Sequence, residues 1–361
     1  MKFTSLLLLA ASLAPAATLF LGAYPNSVIV FDEAKGQIVD RIPLSTGLPR
    51  NMRLSMDGKL IYVYTLDHSG LEIIDVATRK VINHFTLDTP AKRYRFDEGG
   101  ALGPQNKLLY TVSTEIDKQA DRYQIGQPKY TVIDVAAQKI SKTVDIPRDD
   151  ENGFRAFGHG AGFEISPDGK YLYEFRNQVM ILDSGTFKVV DRLDLSKPEV
   201  PGEEMESVGF GGELDSIAES GQHISLFNSS DPIIHNRVFG IARFDLTTRH
   251  VDYTPIGPAT QGMSNLEVTP DRKKAYAVIS SGQHGNKRCE FWAFDLATNS
   301  IADTAGFPCR ARFSFGMSGD GKKLYIYAAG FQIEVYDAAT LKYERTWDLN
   351  NDLTGPMVVV R

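Results

Sequence analysis

Short apolar runs alternate with polar turns along nearly the whole chain. Seven segments share one order: an apolar pair, an aspartate, a short polar turn and a second strand-like run, as in VYDAATLKYERTWDL at residues 335–349. Each segment predicts a β-hairpin whose aspartate accepts hydrogen bonds from backbone N–H groups of the turn. The seven aspartates are Asp32, Asp75, Asp134, Asp183, Asp245, Asp295 and Asp337.

A second pattern lies upstream of every one of these hairpins except the first. It is a tight turn followed by a strand rich in tyrosine and β-branched residues, as in SPDGKYLY at residues 166–173. One repeat therefore contains an inner strand, a turn, a second strand, a loop, a third strand, the aspartate turn and an outer strand. The aspartates are 42 to 62 residues apart, which is typical of four-stranded propeller blades with variable loops.

The two ends of the chain complete the repeat count. The first hairpin lacks an inner strand, and the chain ends in GPMVVVR, a strand with no successor. If this last strand enters the first blade, the chain is an all-β, seven-bladed β-propeller that forms one domain over residues 17–361. Glycines such as Gly100, Gly158 and Gly316 suit inner strands crowded around an axis. Two stacked β-sandwiches are the alternative, but they leave the unmatched end strands unexplained.

Residues 1–16 have the pattern of a secretory signal peptide. Lys2 is followed by the apolar stretch from Leu6 to Leu13 and by the small-residue site Ala14-Pro15-Ala16. The apolar stretch is too short for a membrane-spanning helix. We therefore expect a mature chain that starts near Ala17, without membrane insertion, in the periplasm or outside the cell. A buried N-terminal strand is the alternative reading.

The only two cysteines, Cys289 and Cys309, fall in blade six. Cys289 starts the predicted third strand, and Cys309 lies just beyond the fourth. Because these strands run antiparallel, the two residues are expected to be close enough for a disulfide. Two buried free thiols are the alternative. Trp292 is three residues from Cys289 and faces the opposite side of the strand, which disfavours a crosslink between those two residues.

Composition and motifs exclude several function classes. The formal net charge of −6 over 361 residues does not favour nucleic-acid binding. The chain contains no GxSxG nucleophile motif, no phosphate-binding P-loop and no CxxCH haem-attachment motif. No catalytic residue and no metal ligand set is therefore predicted.

The long loops are predicted to lie on one face of the propeller, and long loops usually carry binding sites. They include residues 113–129, 229–237 and 280–287. The same face collects arginines and histidines, which would attract an anionic ligand or an acidic partner. The candidate binding residues are Arg50, Arg95, Arg155, His159 and Arg312.

Two alternatives stay open for these residues. The arginines of this face could instead pair with nearby acids such as Asp149 and Glu203, and His159 could be a structural histidine among glycines. His68, His159, His235 and His284 come from four separate blades and lack metal-binding spacing.

The repeat resembles the periplasmic YVTN-type propellers, through SPDGKYLY at 166–173 and IIDVATRK at 73–80. A closer resemblance is to the β chain of quinohaemoprotein amine dehydrogenase. It is carried by residues 87–110, by the long segment 113–129 and by residues 313–349, FSFGMSGDGKKLYIYAAGFQIEVYDAATLKYERTWDL.

The resemblance implies a non-catalytic propeller subunit that supports redox chains in periplasmic amine oxidation. Its expected partners are a dihaem cytochrome and a small quinone-bearing chain, which would hold the haem and the quinone, so that this chain has no cofactor of its own. A stand-alone secreted binding propeller is the main alternative. A propeller enzyme such as a lactonase is a third possibility.

Overall fold

The computed structural model describes most of the chain from Ala17 onward. The described residues are 17–55, 57–65, 70–96, 100–146, 163–175, 178–195, 207–213, 221–230, 233, 237–258, 263–282, 284–298, 300–328 and 330–361. The predicted signal peptide, residues 1–16, lies outside them. Within these ranges, no helix has the length and apolar character needed to cross a membrane.

The strands form seven antiparallel sheets arranged as the blades of a ring. Those of the first three blades are β1 (Thr18–Ala23), β2 (Ser27–Asp32), β3 (Gln37–Pro43), β4 (Pro49–Leu54), β5 (Leu60–Thr65), β6 (Gly70–Asp75), β7 (Lys80–Thr86), β8 (Lys92–Phe96), β9 (Ala101–Leu102), β10 (Leu108–Lys118), β11 (Tyr123–Asp134) and β12 (Lys139–Asp145).

Blades four to seven continue the same order of inner, second, third and outer strand. Their strands are β13 (Phe163–Ile165), β14 (Tyr171–Phe175), β15 (Val179–Asp183), β16 (Val189–Leu193), β17 (Ser207–Glu213), β18 (Gln222–Ser230), β19 (Arg237–Asp245), β20 (Val251–Pro258), β21 (Met263–Val268), β22 (Lys274–Ser281), β23 (Arg288–Asp295), β24 (Ser300–Phe307), β25 (Ser314–Met317), β26 (Lys323–Tyr327), β27 (Gln332–Asp337), β28 (Tyr343–Asp348) and the last strand, β29 (Leu353–Val360).

The last strand closes the ring as the sequence predicts. The first sheet has the order β29-β1-β2-β3, and β29 runs antiparallel to β1 with Thr18 opposite Val360 and Leu21 opposite Met357. The contact is tight, because a Cβ added to Gly22 would lie 2.6 Å from Oγ1 of Thr354. The C-terminal strand is therefore the missing inner strand of blade one, and the predicted seven-bladed propeller is confirmed.

Neighbouring blades are joined through one repeated tyrosine position in their second strands. In two cases a hydrogen bond runs from this tyrosine to the residue after the turn aspartate of the next blade. The hydroxyl of Tyr173 donates to the carbonyl of Leu246 at 2.6 Å, and that of Tyr325 donates to the carboxylate of Glu33 at 2.9 Å. The buried tyrosines at this position are Tyr62, Tyr110, Tyr173, Tyr276 and Tyr325.

The predicted aspartate turns are confirmed at all seven positions. In blade two, Oδ1 of Asp75 accepts hydrogen bonds from the backbone N–H and the hydroxyl of Thr78, both at 2.7 Å. The hydroxyl and the N–H of Thr186 bind Asp183 in the same way. These hydrogen bonds hold the pKa of both carboxyl groups below its usual value of 3.8.

Removal of residues 356–361 is expected to destabilise the entire ring. The deletion removes most of the ladder between β29 and β1, including the buried Val358, and leaves an open strand edge. We expect the free energy of unfolding to fall by more than about 3 kcal/mol, measured by chemical denaturation. Removal of Arg361 alone is the control. A truncated chain that unfolds like the full one would contradict the closure by β29.

The turn aspartates predict a loss of stability in acid. Because the pKa of Asp75 and of Asp183 is lower in the folded chain than in the unfolded one, their contribution is present above pH ~4 and is lost as the pH falls through the lowered values. Melting temperatures between about pH 7 and pH 2 measure this loss. The variant Asp75→Asn/Asp183→Asn should lose less stability over this range than the wild type. An identical pH profile for the two proteins would contradict this role.

Candidate functional site

The segment predicted as a long loop in blade three is mostly β-structure, so the prediction of a loop over residues 113–129 is wrong. Strand β10 continues to Lys118 and β11 already begins at Tyr123, which leaves residues 119–122 as the turn. The many polar residues of this segment obscure the period-two alternation that would have predicted strands.

A third strand joins this long hairpin. Residues 92–96 form β8, which pairs antiparallel with the far end of β10, with Phe96 opposite Ser113 and Lys92 opposite Asp117. The short strand β9 takes the inner position nearer the blade. We call residues 92–96 and 113–128 the blade-three extension. Its strands are longer than the blade requires, and backbone hydrogen bonds fix them to the propeller.

One face of the blade-three extension carries a network of charged and polar groups. The ammonium of Lys92 forms an ion pair with the carboxylate of Glu115 and lies 3.7 Å from Asp117. The hydroxyl of Tyr94 donates to the second oxygen of Glu115 at 2.9 Å. The hydrogen bond from Lys92 lowers the pKa of Glu115, and the same bond raises the pKa of Lys92. The charged and polar groups named here are therefore paired with one another.

The opposite face combines exposed apolar groups with cations. Ile116 pairs with both Ile125 and Arg93, and Lys118 pairs with Tyr123, so these side chains share one face of the sheet. Tyr123 is 65 % exposed and Ile125 is 56 % exposed. Paired strands place Arg95 on the same face. We call this surface the apolar–cationic face. Of these residue types, tyrosine and arginine are enriched in protein interfaces.

The predicted binding residues are spread over several blades. Arg50 is exposed on β4 in blade two, Arg95 is exposed on β8 in blade three, and Arg312 is exposed on the connection between β24 and β25. Arg155 and His159 lie outside the described residues. Of the predicted residues, Arg95 shares a surface with Tyr123 and Ile125, two residues that the sequence analysis did not single out.

Some arginines that the sequence places on the long-loop face of the propeller have acidic partners. Arg310 forms an ion pair with Glu334, and Nε of Arg93 lies 3.3 Å from Oδ2 of Asp88. Asp149 and Glu203, the acids that the sequence suggested as partners, lie outside the described residues. The ion pair of Arg310 is three-quarters buried and therefore fixes the connection that leads into blade seven.

Polar groups near the propeller axis take part in contacts between blades. Arg53, Glu164 and Glu267 each lie on an inner strand, opposite the repeated tyrosine of the second strand. Arg53 donates to the carbonyl of Gly100 in the next blade. The carboxylate of Glu164 lies 3.4 Å from Nδ1 of His223, and that histidine ring stacks on Phe175. Among the described residues, no group of three histidines, cysteines or acids is placed to hold a metal ion.

The expected disulfide is present. Cys289 in β23 is bonded to Cys309, and their Cα atoms are 5.1 Å apart. Cys289 pairs with Phe307 across the sheet, so the bond joins the third strand to the residues just beyond the fourth. Disulfides are typical of proteins in oxidising compartments. This bond also holds the connection that carries Arg310 and Arg312.

Comparisons with known proteins identify the fold and nothing finer. No family model matches the chain, and no curated protein matches it. One solved structure to which the chain is similar is that of a functionally unknown protein from Desulfotomaculum acetoxidans. The two sequences are 12 % identical, the match covers 96 % of this chain and 99 % of that one, and the TM-score is 0.53.

Two further similar structures belong to β-propeller proteins. The dihydro-haem d1 dehydrogenase NirN, solved in complex with DHE, is 15 % identical to this chain. The match covers 94 % of this chain and 74 % of the NirN chain, with a TM-score of 0.51. Apo AztD from Citrobacter koseri has 14 % identity, coverage of 96 % and 99 %, and a TM-score of 0.50. At such identities the likeness extends to the propeller architecture alone.

Removal of the disulfide should destabilise the protein. The bond closes a segment with a sequence separation of 20 residues, for which chain entropy predicts a loss of about 2 to 4 kcal/mol. Denaturation of Cys289→Ala/Cys309→Ala measures the loss. Wild-type protein with a reductant is the matched control, since it should lose stability to a similar extent. A double variant as stable as the oxidised wild type would contradict this contribution.

Proposed function

We propose that this chain is a non-catalytic propeller that binds partner proteins through the face bearing the blade-three extension, as a subunit of a complex like quinohaemoprotein amine dehydrogenase. The observation that carries the proposal is the apolar–cationic face itself. It exposes Tyr123 and Ile125 on a sheet whose backbone is fixed by hydrogen bonds to the blade. A rigid apolar surface rimmed by cations is suited to recognition between proteins.

The described residues of the blade-three extension favour protein binding over catalysis. The carboxylate of Glu115 is engaged by both Lys92 and Tyr94, and the lowered pKa of this carboxyl makes it a weak base. Asp117, on the same face, lies 3.7 Å from the ammonium of Lys92. On the apolar–cationic face, the exposed described residues include Tyr123, Ile125 and Arg95, which supply contact area rather than acid–base catalysis.

The expected partners follow from the sequence resemblance. They are a dihaem cytochrome and a small chain carrying the quinone, which would hold the cofactors. We place the complex in the periplasm, or outside the cell, after removal of residues 1–16 as a signal peptide. The disulfide between Cys289 and Cys309 supports an oxidising compartment. The remaining chain, 17–361, would be one propeller domain.

A stand-alone binding propeller would use the same face without redox partners. The two functions differ in what accompanies the chain. In the subunit, the partners remain bound through purification and bring haem absorbance with them. In the stand-alone propeller, the isolated chain is colourless.

Affinity purification from the native host tests the proposed function. The tagged chain is isolated under mild conditions, a visible spectrum is recorded and the co-eluting chains are identified by mass spectrometry. We expect haem absorbance together with a dihaem cytochrome and a small crosslinked chain, and an untagged strain is the control. A colourless monomer recovered at full yield would overturn the subunit proposal.

A further inference from the structure

The position after each turn aspartate lies close to the preceding blade, and in blade one it carries an ionisable group. Glu33 occupies this position in blade one, whereas the other six blades have an uncharged residue there. Val135 and Leu246, for example, are buried in apolar clusters together with side chains of the preceding blade. The six uncharged residues are Val76, Val135, Ser184, Leu246, Leu296 and Ala338.

The backbone at this position also differs in blade one. In the other blades its N–H donates to a carbonyl of the turn between the inner and second strands, as from Val76 to Lys59 and from Ala338 to Lys322, both at 2.9 Å. In blade one the inner strand β29 comes from the far end of the chain, so no such turn precedes β1. The N–H of Glu33 donates instead to the carbonyl of Ala17, at 3.4 Å. This backbone link is therefore longer at the ring closure.

The carboxylate of Glu33 makes its hydrogen bonds across the closure, to blade seven. One oxygen accepts from the hydroxyl of Tyr325 at 2.9 Å, and the other accepts from the N–H of Gly319 at 3.2 Å. Tyr325 is 1 % exposed and belongs to the apolar cluster shared by blades one and seven. A carboxylate thus contacts this interface at the position where Val135 and Leu246 are apolar.

Charged groups of three segments lie near this carboxylate. Asp32, in the same turn, forms an ion pair with Lys35 at 2.9 Å. Asp320, in the turn of blade seven, forms an ion pair with Lys322 at 3.3 Å. Arg361 follows β29. The charges of Asp320 and Arg361 act on the carboxylate in opposite directions, the first against its ionised form and the second in favour of it.

The ionised form of Glu33 is less favourable in the closed ring than in water. Burial raises the pKa of this carboxyl above its usual value of 4.5, and the hydrogen bonds from Tyr325 and Gly319 oppose only part of that increase. A group whose pKa is raised on folding contributes stability that is present below about pH 4.5 and is lost as the pH rises through the raised value. The turn aspartates have the opposite sign.

We propose that Glu33 makes the ring closure sensitive to pH, so that β29 stays paired with β1 more of the time when this carboxyl is protonated than when it is ionised. The geometry supports a local effect, because residues 349–352 alone connect blade seven to β29, and movement of blade seven away from Glu33 pulls on that strand. The inference is independent of the proposed function, since it concerns the chain by itself.

Amide hydrogen exchange of the purified chain tests this proposal. Residues 357–360 of β29 pair with β1, and their protection, corrected for the intrinsic exchange rate at each pH, reports how often the two strands separate. We expect this protection to be at least about threefold lower at pH ~8 than at pH ~5, because Glu33 is ionised at the higher pH. The amides of β10 and β11, in blade three, serve as an internal reference and should not change.

Three variants assign the response to Glu33. Glu33→Gln keeps the shape of the side chain and removes its titration, so its protection should be the same at both pH values. Tyr325→Phe removes a hydrogen bond that favours the ionised form, so the midpoint of the response should move to higher pH. Glu344→Gln, on the outer strand of blade seven, is the matched control and should respond like the wild type.

Several outcomes would overturn the proposal. They are equal protection of β29 at both pH values in the wild type, an unchanged response in Glu33→Gln, and an equal change at β10 and β11, which would indicate global unfolding. A midpoint for Tyr325→Phe that does not move upward would do the same. That last comparison uses the native Glu33, so it decides the matter even if Glu33→Gln does not fold.

Discussion

The pairing of β29 with β1 is the interaction on which the rest of the structure depends. Each blade packs between two neighbours, so an open row of blades would expose two apolar faces and one strand edge. With β29 as its inner strand, blade one buries Leu19 and Leu21 in the same cluster as Tyr325 and Val335 of blade seven. Closure therefore supplies the last interface between blades, together with the last backbone ladder.

The contact between blades seven and one has a charged group that the other tyrosine contacts do not share. Glu33 follows the turn aspartate Asp32 and accepts hydrogen bonds from the hydroxyl of Tyr325 and the N–H of Gly319. Burial raises the pKa of this carboxyl above its usual value, despite both hydrogen bonds. In blade five the corresponding acceptor is the carbonyl of Leu246, which carries no charge. Hydrogen bonding at the closure thus compensates for part of the desolvation of a carboxylate.

A closed ring leaves its connections free to vary, because the blades support one another without them. In blade three this freedom takes the form of a rigid sheet, since β8 adds a third strand to the hairpin of β10 and β11. One face of that sheet carries Glu115 and Asp117 with Lys92, and the other carries Arg93 and Arg95. The ring therefore fixes the position of the blade-three extension, and the extension provides the surface that we propose for binding.

The sequence by itself determined the repeat, the aspartate turns, the closing strand and the disulfide, because each depends on local spacing along the chain. Asp75 with Thr78 is a contact three residues apart, and the unmatched ends require closure whatever the details. The apolar–cationic face was decided only by the tertiary structure. It needs residues 92–96 beside residues 113–118 and one register between them, which places Arg95 with Ile125 and separates both from Glu115. A shift of one residue would exchange the two faces, and nothing local along the chain sets that register.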